Sequence, residues 1–193
     1  MIQRRTRNRI ALFGVPLAIA LFLGLGALRT PATDGSLTLQ ASLSSKTLTV
    51  YRDGEVVKQY AVAVGTDNHP TPTGKYTIQK IVWNPAWVPP DAKWARGKTA
   101  KAPGHPANPM KLVKIFWREP DYYIHGTGDV ESLGSEASHG CLRMDPDEAG
   151  ELALMVMENA GQFRDWDWVK SILHLGEQRA VRLATPTPMT ITR

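Results

Sequence analysis

The sequence predicts a mainly β fold with a minor α component: antiparallel-rich mixed sheets in a sandwich-like arrangement, with a helix after the segment that carries the single cysteine. Two observations lead there. Between residues 37 and 82, apolar and polar residues alternate with period two and are punctuated by turn signals. Between residues 145 and 159 the apolar residues switch to helical spacing.

Leu37, Leu39, Ala41 and Leu43 form the first alternating run, and Ser44-Ser45-Lys46 turns the chain. Leu48 and Val50 continue the alternation toward Arg52, where Asp53-Gly54 is a hairpin signal, because both residue types tolerate the positive φ a tight turn demands. Residues 55–64 then read as one strand, Thr71-Pro72-Thr73-Gly74 as a turn, and Tyr76, Ile78 and residues 80–82 as the next strand. Residues 111–117 and 121–124 are further strands, the second very short. For the helix over 145–159, Asp145 is the N-cap, Pro146 suits the first helical position and Glu148 completes a capping box. Ala149, Leu152, Ala153, Val156 and Met157 share one face, which packs on the sheet. Residues 166–175 are a shorter helix. Residues 181–183 and 189–191 close the domain as strands, the latter at an edge because Pro186 and Pro188 lack an N–H.

Residues 84–110 break the pattern. Pro85, Pro89, Pro90, Pro103, Pro106 and Pro109 exclude regular structure, yet Trp87 and Trp94 lie among them. A loop this long in a compact domain is usually functional. It is expected to be a lid or a groove wall, with Trp87 a candidate substrate contact; the alternative is a surface loop pinned by its aromatics over a small second core.

Of the 193 residues, the first 32 read as an address. Arg4, Arg5, Arg7 and Arg9 precede residues 10–28, a stretch without charge that spans about 28 Å as a helix. Arginines on that flank put the N-terminus in the cytoplasm and the rest outside. The segment is a signal anchor or a signal peptide, followed by a linker over 33–36 and a domain over 37–193 in the periplasm or cell envelope. The formal charge of +5 suggests nucleic acid only until it is located: taking those arginines and Arg29 from the 23 basic residues leaves 18 against 18 acidic ones. A neutral body argues against a phosphate-binding surface, and no nucleic-acid partner is expected.

The chemistry concentrates between His125 and Arg143. A lone cysteine cannot form an internal disulfide, so Cys141 is an inert buried residue or a reactive thiol. Its neighbours Ser138, His139 and Gly140 are poor material for an apolar pocket and suit an approachable nucleophile, whose thiolate fraction a paired imidazole raises. Gly140 permits a tight turn that brings backbone N–H groups toward a developing oxyanion. A thiolate, a base and an oxyanion hole together perform acyl transfer. A zinc site at His125, His139 and Cys141 is a rival, although no strong ligand spacing is present. His69, His105 and His174 read as surface or loop residues.

His125-Gly-Thr, followed after ten further residues by Ser138-His139-Gly140-Cys141-Leu142-Arg143, resembles the signature of the L,D-transpeptidase catalytic domain, of the YkuD type. Thr71-Pro72-Thr73-Gly74 and the Asn84-Pro85-x-Trp87-x-Pro89-Pro90 stretch resemble segments these enzymes carry ahead of it. The resemblance implies that Cys141 attacks the meso-diaminopimelate carbonyl of a peptidoglycan tetrapeptide stem, that His125 is its base, and that the Gly126 carbonyl orients the imidazole. It implies an oxyanion hole from the N–H groups of His139, Gly140 and Cys141, with Ser138 shaping the loop. Arg143, Thr127 and Trp87 are candidate substrate contacts. No metal and no cofactor are implied, and carbapenem-type β-lactams are expected to acylate Cys141. The same acyl-enzyme also serves L,D-carboxypeptidation or anchoring of a protein to the wall, and a non-catalytic wall-binding module is the remaining alternative.

Overall fold

The computed structural model describes residues 35–193, so the anchor or signal segment over 1–32 lies outside the described residues. Among the described residues no helix is long and apolar enough to cross a membrane.

Strands β1 (Leu37–Ser42), β2 (Thr47–Arg52) and β3 (Glu55–Ala61) form an antiparallel meander. The hairpin between β2 and β3 turns at Asp53 and Gly54, whose φ values of 55° and 86° are the positive pair expected of that dipeptide. Alternation buries Leu37, Leu39 and Ala41 on one face of β1, opposite Leu48 and Val50 of β2. β4 (Val64–Gly65), β5 (Gly74–Trp83), β6 (Lys111–Arg118), β7 (Tyr122–Gly126), β8 (Glu136–Ser138) and β9 (Leu142–Met144) follow. Helices α1 (Pro146–Asn159) and α2 (Trp166–Leu175) then lead to β10 (Arg179–Thr192).

Eight strands make one mixed sheet in the order β3-β2-β1-β10-β5-β6-β7-β9, with β1/β10 and β7/β9 parallel, while β4 and β8 pair separately. Ala63, just past β3, exchanges both backbone hydrogen bonds with Arg143 of β9, at 3.0 and 2.9 Å. This single bridge covers part of the outer edge of β9.

α1 starts where its chemistry places it. Asp145 accepts from the N–H groups of Asp147 and Glu148 at 2.9 and 3.3 Å, so the Asp145 half of the expected capping box forms. Ala149, Leu152, Ala153, Val156 and Met157 are all buried, as the spacing predicts, and each large one contributes roughly 1.5–3 kcal/mol by leaving water. The helix packs on β6 and on β7, the strand that carries His125.

Three expectations are corrected. Residues 55–64 are two strands, because the chain leaves β2 after Ala61 to reach β8 and β9. β8 and β9 are strands that the sequence pattern does not predict. The closing strands are one, and β10 is central rather than at an edge, lying between β1 and β5. Its prolines are accommodated because Pro186 falls in the register slip between Arg182 and Thr187, and Pro188 comes just before the β1 ladder opens at Leu39↔Met189.

Candidate active site

The site is built on the register of three neighbouring strands. Side chains two apart on a strand share a face, so Tyr123 and His125 of β7 project together. β6 places Lys114 opposite His125, and β9 places Arg143 opposite it on the other side, giving a transverse row Lys114, His125, Arg143. Cys141 precedes β9 by one residue and Arg143 by two, so it shares that face as the diagonal neighbour of His125, beside Tyr123. All five line one cavity of about 1830 Å³.

His125 is buried, with 4% of its surface exposed, and its Nδ1 lies 2.8 Å from the Gly126 carbonyl. A carbonyl only accepts, so Nδ1 carries the hydrogen and Nε2 is left as the basic nitrogen. Burial pushes the imidazole down to about 4; the Gly126 bond works against that, and the charges of Arg143 and Lys114 add to it. Burial likewise pushes the Cys141 thiol up to about 11, outweighing the backbone of Tyr123 and the charges of Lys114 and Arg143, which favour the thiolate. The Sγ–H group donates to the Asp121 carbonyl at 3.4 Å. Burial thus favours a neutral thiol and a neutral imidazole in the resting pair.

The loop that presents Cys141 is held by Ser138, which is buried. Its hydroxyl donates to the Cys141 carbonyl at 2.6 Å and accepts from the Gly140 N–H at 3.0 Å. Gly140 has φ +106°, and a Cβ there would sit 2.9 Å from a ring carbon of Tyr122, so this position requires glycine. The expected oxyanion donors are thus reduced by one, since the Gly140 N–H is already bonded to Ser138. Those of His139 and Cys141 donate to no protein acceptor among the described residues.

Residues 84–110 form one wall of the cavity. Trp87 exchanges backbone bonds with Lys101 at 2.9 and 2.8 Å and its ring is buried, so it anchors the wall more than it presents a surface. Asn108 ties the segment together by donating to Pro85 and Ala102 at 2.8 and 3.1 Å. Trp87 and Trp94 both line the cavity; the Trp94 ring stacks on His139 at 4.0 Å, and His69 packs against His139 at 4.7 Å. His69, a partly exposed loop residue as expected, also lines the cavity. Arg143 reaches Asp129 at 3.8 Å, and Thr127 accepts from the Asp129 N–H at 3.1 Å. Among the described residues no three His, Cys, Asp or Glu side chains are placed to hold a metal ion. The approach to β10 buttresses the wall, with Gln178 accepting from the Ala86 N–H at 2.7 Å.

Lys114, Tyr123 and Asp121 escaped sequence reasoning. Lys114 did carry a signal, as a charge inside an otherwise apolar strand, and Tyr123 another, as the residue two before His125.

A model of the YkuD family, the L,D-transpeptidase catalytic domain, matches residues 37–171. Over 118 residues the chain is 33% identical to YkuD of Bacillus subtilis (strain 168), which bears an L,D-transpeptidase assignment, covering 61% of this chain and 59% of that protein. It is 29% identical over 119 residues to L,D-transpeptidase 1 of Mycobacterium tuberculosis, covering 61% and 45%. The match thus spans about three fifths or less of the length of these relatives. The fold is shared with the L,D-transpeptidase from Mycobacterium smegmatis, at TM-score 0.52 and 17% identity, over 82% of this chain and 59% of that one. It is shared also with the catalytic domain of the E. faecium L,D-transpeptidase, at TM-score 0.52 and 17% identity, over 81% and 96%.

Proposed function

The chain belongs to the L,D-transpeptidase catalytic domain family, and from that premise we propose that it is a cysteine-dependent acyl transferase acting on peptidoglycan stem peptides outside the cytoplasm. One observation carries the reading: a neutral thiol and an imidazole with a free Nε2 face one cavity from adjoining strands, beside two idle backbone N–H groups.

Cys141 Sγ bonds to the meso-diaminopimelate carbonyl carbon while His125 Nε2 takes its proton, so the neutral pair separates charge only as the bond forms. The carbonyl electron pair moves to oxygen, where the His139 and Cys141 N–H groups receive it. The Gly126 carbonyl holds Nδ1–H and steadies the imidazolium. On collapse, the C–N bond breaks, His125 returns the proton to the departing nitrogen, and D-Ala leaves a thioester on Cys141. An incoming amine gives its proton to His125, attacks the thioester and restores the thiol. The bond energy of the first amide is conserved through the thioester, so no nucleotide is required.

The cavity of about 1830 Å³ exceeds the about 300–1,000 Å³ typical of a small-ligand site, so a second peptide carrying an acceptor amine can be accommodated. Donor and acceptor peptides therefore have room together, with Trp94 and His139 forming part of the wall. Residues 1–32 are proposed to deliver the domain to the envelope. The test is incubation with tetrapeptide-stem muropeptides. The expected products are free D-Ala and a cross-linked dimer, both lost in Cys141→Ala. A tripeptide without dimer would instead identify hydrolysis, and an unaltered donor would overturn the reading.

A further inference from the structure

Lys114 is a cation in the catalytic cavity for which the mechanism above has no use. Its ammonium donates to the Ala86 carbonyl of the wall at 3.2 Å and lies 4.8 Å from the Tyr123 ring centroid. Among the described residues no carboxylate is within ion-pair range of it, whereas Arg143, at the other end of the row, is engaged with Asp129 at 3.8 Å. A half-buried ammonium with one carbonyl and one aromatic face retains donors for an anion. Burial pushes it down to about 8, so it keeps its charge at neutral pH while being poorly compensated.

The chemistry of the site says which anion arrives. His125 hands its proton to the departing nitrogen, which therefore lies against the imidazole. In an amino acid the carboxylate carbon is two bonds, about 2.5 Å, from that nitrogen. The carboxylate of the departing residue must then lie beside His125, toward one of its neighbours in the row, and only Lys114 lacks an anionic partner.

We propose that Lys114 is a specificity-determining residue that receives the α-carboxylate of the amino acid released from the donor, an inference that rests on the acyl-transfer reading above. It selects donors that end in a free carboxylate next to the scissile amide. The ammonium is a point charge rather than a planar fork, so it fits a carboxylate held by one oxygen while the other stays hydrated.

The test compares tetrapeptide donors with a free terminal carboxylate, with a terminal carboxamide, and with an amidated diaminopimelate side-chain carboxyl. Wild type, Lys114→Met and Lys114→Arg are assayed by release of the terminal residue. Wild type should prefer the free terminal carboxylate to the terminal carboxamide by about ten- to a hundredfold in kcat/KM. Lys114→Met should bring that ratio near one, although both absolute rates change because the Lys114 charge also acts on Cys141 and His125, and Lys114→Arg should keep most of the preference. The penalty for amidating the diaminopimelate carboxyl should be the same in all three. Equal slowing of every donor in Lys114→Met, an unchanged ratio, or loss of the diaminopimelate discrimination instead would each overturn the proposal while leaving acyl transfer intact. A wild type that releases nothing and forms no thioester overturns both readings.

Discussion

Changing pH separates two resting states of the catalytic pair. In an ion-paired site the sulfur is already a thiolate near neutrality. Here burial pushes Cys141 up to about 11, leaving about one thiolate in ten thousand at pH 7. His125, pushed down to about 4, is then almost wholly neutral. Iodoacetamide reacts with the thiolate, and the chain has one cysteine, so alkylation reads that group alone. Its rate should rise about tenfold per pH unit from 7 to 10 without a plateau. Acyl transfer should behave differently, holding steady from neutrality down to about pH 5 and failing as pH falls through about 4, where the protonated imidazole can no longer accept a proton. Stability should follow the same sign. The unfolded histidine protonates first as pH falls below about 6.5, so the folded state loses up to about 3 kcal/mol by the time pH passes about 4. An alkylation plateau that sets in near or below pH 7 would refute the neutral-pair argument, as would an activity inflection at the ordinary histidine value.

Ser138→Ala leaves the buried Gly140 N–H and the Cys141 carbonyl without their partner, and should cost about 2–3 kcal/mol in urea unfolding; a loss under about 0.5 kcal/mol contradicts the role given to that hydroxyl. Gly140→Ala forces a side chain into positive φ against Tyr122 and should lower stability by about 1–3 kcal/mol, with activity falling further than stability; a fully active Ala variant means the loop is not held as described. Trp94→Ala removes the stack on His139, worth about 0.5–1.5 kcal/mol, and should speed hydrogen exchange across residues 91–98; unchanged exchange means the wall is held by Trp87 and Asn108 alone.

The parts legible in the sequence are those whose cause is local. The Asp53-Gly54 turn, the cap at Asp145 and the buried face of α1 each follow from residues within a few positions of one another. His125, its tautomer-holding Gly126 and Cys141 were legible because a short motif carries them. What escaped depends on register. β8 and β9 are three residues each, too short to alternate, and exist because the chain past β3 and the parallel neighbour β7 pair with them. The prolines of β10 predict an edge strand, whereas two gaps in its ladders let them sit in the middle of the sheet. Lys114 joins the site because β6 aligns it with His125. The neutral pair is likewise a product of burial, which a motif does not encode.

The most direct test of the central claim is rapid-quench intact-mass analysis with peptide mapping during turnover of a tetrapeptide donor, on wild type and His125→Gln. The account predicts a thioester adduct on Cys141 that builds up in wild type and forms at least about a hundredfold more slowly without the imidazole. An adduct on another residue, or one that reaches Cys141 equally fast in both proteins, contradicts it.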